Sequence, residues 1–142
     1  MADPRQIGAA LRALVRGRAA GCCEYCLSQE RYSPDMFAIE HITPVARGGS
    51  GSEDNLALSC QGCNGRKYTA TSARDSLTGE IAPLFHPRQD ARDAHFAWGD
   101  GDALLIGLTS TGRATIDKLA LNRPGLVSLR QILAAAGVHP PR

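Results

Sequence analysis

Five cysteines fall in two short stretches of the chain, 22–26 and 60–63. Cys23-x2-Cys26 and Cys60-x2-Cys63 form two C-x2-C pairs with 33 residues between them. Each pair offers two thiolates to one cation. Two pairs complete a tetrahedral zinc site with Zn–S bonds of about 2.3 Å. Cys22 is the spare, read as a small buried residue beside the knuckle. An odd count argues against a disulfide framework, and redox chemistry at either pair is the weaker alternative. A second chemistry lies between and just after the pairs: Glu40-His41, a Gly-rich loop through Arg47-Gly48-Gly49, Asn55, then Asn64, Arg66 and Lys67. A free imidazole titrates near 6.5, so His41 is suited to take a proton from water near neutrality. Glu40 and Asn64 supply hard oxygens of the kind that suit Mg²⁺ or Mn²⁺. Lys67, one helical turn past Asn64, is placed to meet a phosphate as a point charge, and Arg47 and Arg66 to grip flanking phosphates. The bland alternatives are a solvated charge for Glu40 and Lys67 and a turn residue for Asn55.

The elements that must hold these residues follow from pattern. Ile7, Ala10, Leu11, Leu14 and Val15 recur on one face and predict a helix over 4–18, ended by Gly21. Residues 36–42 read as a strand limited by Pro44, 45–54 as a loop, 56–59 as a second strand, and 61–72 as a helix launched from the second cysteine pair. Residues 73–94 read as mostly irregular. Residues 95–98 and 103–108 flank Gly99-Asp100-Gly101-Asp102 as a hairpin, and helices are expected near 112–121 and 125–136. The expected organisation is an N-terminal helix (1–22), a zinc-bearing core (23–72) and a C-terminal extension (73–142) packed on the core. His86 and His95 lie in the extension beside Pro and aromatic residues, and are read as structural.

As a set, the four cysteines, the acid–His pair, Pro44, the Gly-Gly loop, and the spacing His41-x13-Asn55-x8-Asn64 resemble the HNH endonucleases. This chain has the form with Asn at the third motif position. The tail also looks like one branch of such proteins, through Pro83-Leu84-Phe85-His86-Pro87-Arg88, His95-Phe96-Ala97-Trp98 and the stretch from Gly107 to Thr115. The resemblance implies an α+β fold: a ββα-metal core on a four-Cys zinc, with the N-terminal helix and a C-terminal β-hairpin plus two helices around it. It implies Glu40 and Asn64 as ligands of a catalytic Mg²⁺ or Mn²⁺. It also implies that Asn55 ties down the loop and orients His41, and that His41 is the general base. The expected activity is hydrolysis or nicking of DNA, most simply double-stranded, by a one-metal mechanism. His41, Asn55 and Lys67 are the expected catalytic residues, and Arg47, Arg66 and Lys67 the expected nucleic-acid contacts. The alternatives are a zinc-stabilised nucleic-acid-binding module without hydrolysis, and a redox or metal-storage protein.

Composition bounds these readings. The chain has 142 residues, 43% hydrophobic and 21% charged, which suits one globular domain. No stretch approaches the roughly 18 apolar residues of a membrane span. The first twenty residues carry four Arg and no apolar leader, so a cytoplasmic protein is expected. The net charge of +2 is small, but its distribution is uneven. Residues 113–142 carry five bases against Asp117, whereas residues 24–54 carry six acids against Arg31 and Arg47. Basic ends around an acidic middle suit a polyanion gripped while a cation is held centrally.

Overall fold

The computed structural model describes residues 3–141; the outermost residues of the expected N- and C-terminal segments lie outside it. The first helix, α1, spans Ala9–Arg18, five residues shorter at its start than the hydrophobic pattern predicts. Turn chemistry wins over helix periodicity there. Asp3 accepts from the Arg5 amide at 2.9 Å, and the Gln6 amide donates to the Asp3 carbonyl at 3.0 Å. Asp followed by Pro is a favoured opening of such a turn. Residues 3–7 therefore enter as a turn and an extended lead rather than as helix.

The central unit is a two-stranded antiparallel hairpin followed by a short helix. Strand β1 (Ala38–His41) pairs with β2 (Leu56–Ser59), with Glu40 opposite Ala57 and His41 opposite Leu56. Helix α2 (Gln61–Lys67) starts at Cys60, whose sulfur accepts from the Cys63 amide. It ends five residues before the expected point because Tyr68 turns to positive φ. A second hairpin, β3 (Ser72–Arg74) with β4 (Ile81–Pro83), occupies a stretch that reads as irregular in sequence. Helix α3 (Arg92–His95) leads into the expected hairpin β5 (Phe96–Gly99) and β6 (Leu104–Gly107). Helices α4 (Ser110–Leu119) and α5 (Pro124–Ala135) complete the fold. The result is a mixed helix–sheet architecture of five α-helices and three small antiparallel sheets among the described residues.

One hydrophobic core serves all of these elements. Val15 of α1, Tyr25, Leu56 and Leu58 of β2, Phe85, Phe96, Leu105, Leu119 and Leu126 belong to a single buried cluster with the four paired cysteines. Close approach is enforced at Gly112, where a Cβ would collide with the His95 carbonyl, so α4 lies directly on the end of α3. His95 itself bonds Thr109 through Nδ1 at 2.6 Å, and His86 Nδ1 accepts from the Arg88 and Gln89 amides at 3.2 Å. Both histidines thus brace local turns.

The β3–β4 loop is organised by Asp75, which is fully buried. Its carboxylate accepts from the Leu77 amide, from Thr78 Oγ1, and from Arg113 on α4 through two bonds of 2.9 Å. The Arg113 guanidinium holds this carboxyl well below the usual range. A depressed carboxyl contributes stability that is in place above the unfolded pKa of about 3.9 and is lost as pH falls below it. Asp75→Asn is therefore expected to be less stable than wild type at pH 7 in urea unfolding, with the gap narrowing as pH falls below about 4. A gap that stays constant down to pH 2 would remove Asp75 from the acid response.

Candidate active site and zinc knuckle

The chain from Cys22 to Gln29 folds back on itself as a knuckle. The Cys23 amide donates to the Ser28 carbonyl at 2.8 Å, and the Leu27 amide to the Cys23 carbonyl at 2.9 Å. Cys60 and Cys63 meet it from the start of α2. The four sulfurs of Cys23, Cys26, Cys60 and Cys63 lie within 4.8 Å of one another, all buried. The Cys26 and Cys60 sulfurs are 3.7 Å apart. A tetrahedral zinc with 2.3 Å bonds demands sulfurs about 3.8 Å apart, so the cluster fits zinc. Cys22 is buried but stays outside the cluster, its sulfur 3.5 Å from the Ala20 carbonyl.

Beside the knuckle, the end of β1 sets two titratable groups on opposite sides of the strand. Glu40 points inward and is 6% exposed, while His41 is half-buried. Glu40 Oε1 accepts from the Tyr25 hydroxyl at 2.8 Å and pairs with Lys67 Nζ at 3.0 Å. Lys67 also donates to the Ile42 carbonyl at 2.8 Å. Burial pushes the Glu40 carboxyl up, against the pull of Lys67 and Tyr25. Burial and the neighbouring Glu40 push Tyr25 well up as well. Glu40 Oε2 is buried without a hydrogen-bond partner among the described residues. Such an atom is costly unless something else fills its coordination. Asn64 stands half-buried on α2. A carboxylate oxygen and an amide oxygen are each of the chemical type that suits a hard divalent cation.

Asn55 fixes the loop that follows β1. Its Oδ1 accepts from the Thr43 amide at 2.8 Å, and its Nδ2 donates to the Thr43 and Ser50 carbonyls at 3.0 and 2.7 Å. Gly49 is required beneath it, because a Cβ there would run into the Thr43 carbonyl. His41 Nε2 lies 2.6 Å from the carbonyl oxygen of Pro4, in the lead to α1. A carbonyl only accepts, so Nε2 carries the hydrogen, and the lone pair of the neutral ring sits on Nδ1.

Residues 23–70 match the family model of the HNH endonucleases. No curated protein and no solved structure matches the chain. The HNH segment takes in both cysteine pairs and the whole run from Glu40 to Lys67, about a third of the chain. It excludes α1 and everything from β3 onward.

Within the matched segment, Glu40, Tyr25 and Lys67 meet in one buried cluster, His41 bonds the Pro4 carbonyl, and Asn55 fixes the loop that follows β1. Arg47 and Arg66 remain exposed, each with one bond to a backbone carbonyl, of Thr69 and Gly62 respectively. Lys67 departs from its sequence expectation. It is 2% exposed and neutralises Glu40 from within, so it does not present its ammonium to a phosphate. The reason is geometric: one turn past Asn64, the helix face has rotated toward β1, and the long stem reaches the carboxylate. Tyr25 and Pro4 were not singled out by the sequence. Tyr25 carries a weak signal, an aromatic between two metal ligands. Pro4 acts through its backbone, which no residue type announces.

Removing one partner of a buried ion pair leaves an uncompensated charge, a loss of about 3–5 kcal/mol. Lys67→Ala is expected to fall by that order in urea unfolding while the salt dependence of DNA affinity stays at the wild-type slope. The double variant Glu40→Gln/Lys67→Met should recover much of the stability. A reduced slope with unchanged stability would return Lys67 to the phosphate contacts.

Proposed function

We propose that the HNH segment makes this chain a metal-dependent endonuclease that hydrolyses or nicks DNA, with His41 as general base. The observation that carries the reading is the 2.6 Å contact of His41 Nε2 with the Pro4 carbonyl. With Nε2 held by the Pro4 carbonyl, Nδ1 is the nitrogen that takes a proton from an attacking water. Asn55 ties Thr43 and the Ser50 turn together, which holds the loop that follows β1 in one shape. Glu40 Oε2 and Asn64 would hold Mg²⁺ or Mn²⁺, which supplies charge neutralisation at the phosphate and the departing oxygen. Lys67 and Tyr25 hold the Glu40 carboxylate in one orientation by occupying its other oxygen. Arg47 and Arg66 add exposed positive charge to the same segment and suit flanking phosphates of a duplex.

A second reading, a zinc-stabilised nucleic-acid-binding module, is favoured by one observation: Glu40 is already ion-paired to Lys67. The two readings separate on supercoiled plasmid with Mg²⁺ or Mn²⁺. The wild type should convert it to nicked or linear product, and EDTA should stop the reaction without releasing the zinc. His41→Ala should keep the zinc, the fold and DNA binding, yet lose about 10²–10⁴-fold in rate. Asn55→Ala should give an intermediate loss. Asn64→Ala should raise the metal concentration needed for half activity. A wild type inert in every divalent cation would end the endonuclease reading, and a His41→Ala that cuts at the wild-type rate would end the general-base assignment.

A further inference from the structure

Three arginines of the C-terminal extension converge on the four-cysteine centre. Arg123, just before α5, donates from its two terminal nitrogens to Cys63 Sγ and Cys60 Sγ, each at 3.6 Å. Arg130 of α5 is 3% exposed and donates to the Cys26 carbonyl at 3.4 Å. Arg92 of α3 donates to the Glu24 carbonyl at 3.2 Å. None of the three has a carboxylate partner among the described residues; the ion pairs there involve Arg5, Arg16, Arg88, Arg113 and Lys67. Arg92 and Arg130 each even keep a buried nitrogen without a hydrogen-bond acceptor.

Cations buried without a counter-charge are expensive. The counter-charge here is the zinc centre itself, since four thiolates around one Zn²⁺ carry a net charge of minus two. The space for the guanidinium is built into α2. Gly62 lies between Cys60 and Cys63, and a Cβ there would come within 2.6 Å of an Arg123 nitrogen. The same guanidinium donates to the Leu119 and Ala120 carbonyls at 3.1 and 3.3 Å, which ties it to the end of α4.

We infer that Arg123, seated over Gly62 and bonded to both sulfurs of the second cysteine pair, is a positioning residue of the zinc centre, with Arg92 and Arg130 completing its counter-charge. The extension is then part of the metal centre. Its N–H···S bonds draw electron density from the thiolates and oppose their release from the metal. Outer partners of this kind typically contribute about 10–100-fold in metal affinity. This inference is independent of nuclease activity.

The test uses the zinc-loaded full chain and its Co²⁺-substituted form. Arg123→Gln should release zinc to a chelator about 10-fold faster or more than wild type, and should shift the sulfur-to-cobalt charge-transfer band to lower energy. Arg123→Lys, which keeps the charge and a donor, should lie between. Gly62→Ala keeps the arginine but displaces it from the sulfurs, and should shift the band in the same direction. If Arg123→Gln fails to fold, Gly62→Ala decides. Wild-type release rate and band position in the folded variant would overturn the inference.

Discussion

Four sulfur atoms that must sit within 4.8 Å of one another set the terms for the rest of the molecule. Two of them come from a knuckle and two from the start of α2, with 33 residues between the pairs. The span between the pairs folds back as a hairpin, and β1 and β2 are that hairpin. The hairpin's strand ends and the helix it feeds then have fixed positions, and Glu40, His41, Asn55 and Asn64 lie on or next to them. Structural zinc in small domains is worth on the order of 10–16 kcal/mol, against a total of roughly 5–15 kcal/mol for a typical domain. A zinc held by these four thiolates would therefore be coupled to folding.

The Glu40–Lys67–Tyr25 cluster shows how the hairpin and the helix are joined on the other side. A buried ion pair is weak grounds for stability but strict about geometry, because neither partner tolerates the loss of the other. Tyr25 belongs to the knuckle, Glu40 to β1 and Lys67 to the end of α2. The cluster therefore couples the cysteine knuckle to the strand that carries His41. The carboxylate's two oxygens are used differently: one is occupied by protein donors, the other is kept bare. That asymmetry is what a carboxylate needs if it is to be held still while it binds a cation.

Much of this was legible in residue types. Cysteine spacing indicates the metal cluster because thiolates have few other uses in fours, and β2 matches its expected span of 56–59 because four consecutive core residues are bounded by turn signals. The β5–β6 hairpin follows from Gly-Asp-Gly-Asp between apolar runs. The β3–β4 hairpin was not legible, since Ser72–Arg74 and Ile81–Pro83 are short, largely exposed and close to prolines. They form because Asp75 is gripped by an arginine 38 positions away. The inward turn of Lys67 was hidden for a related reason: its partner lies across the fold, and a lysine one turn past Asn64 looks the same in sequence whichever way it points. The Pro4 carbonyl and the arginines over the knuckle share that opacity, being a backbone atom and three ordinary-looking basic residues.

The chain's single tryptophan sits at the far end of this arrangement. Trp98 on β5 lies under the Arg130 guanidinium, 5.1 Å from it, and meets the His139 ring edge-on with centroids 4.7 Å apart. Arg130 in turn holds the Cys26 carbonyl. One indole is therefore in contact with a cation that touches the knuckle and with His139 near the C-terminus. Its fluorescence is a built-in optical gauge, one that follows the seating of the C-terminal helix on the metal centre without any added label.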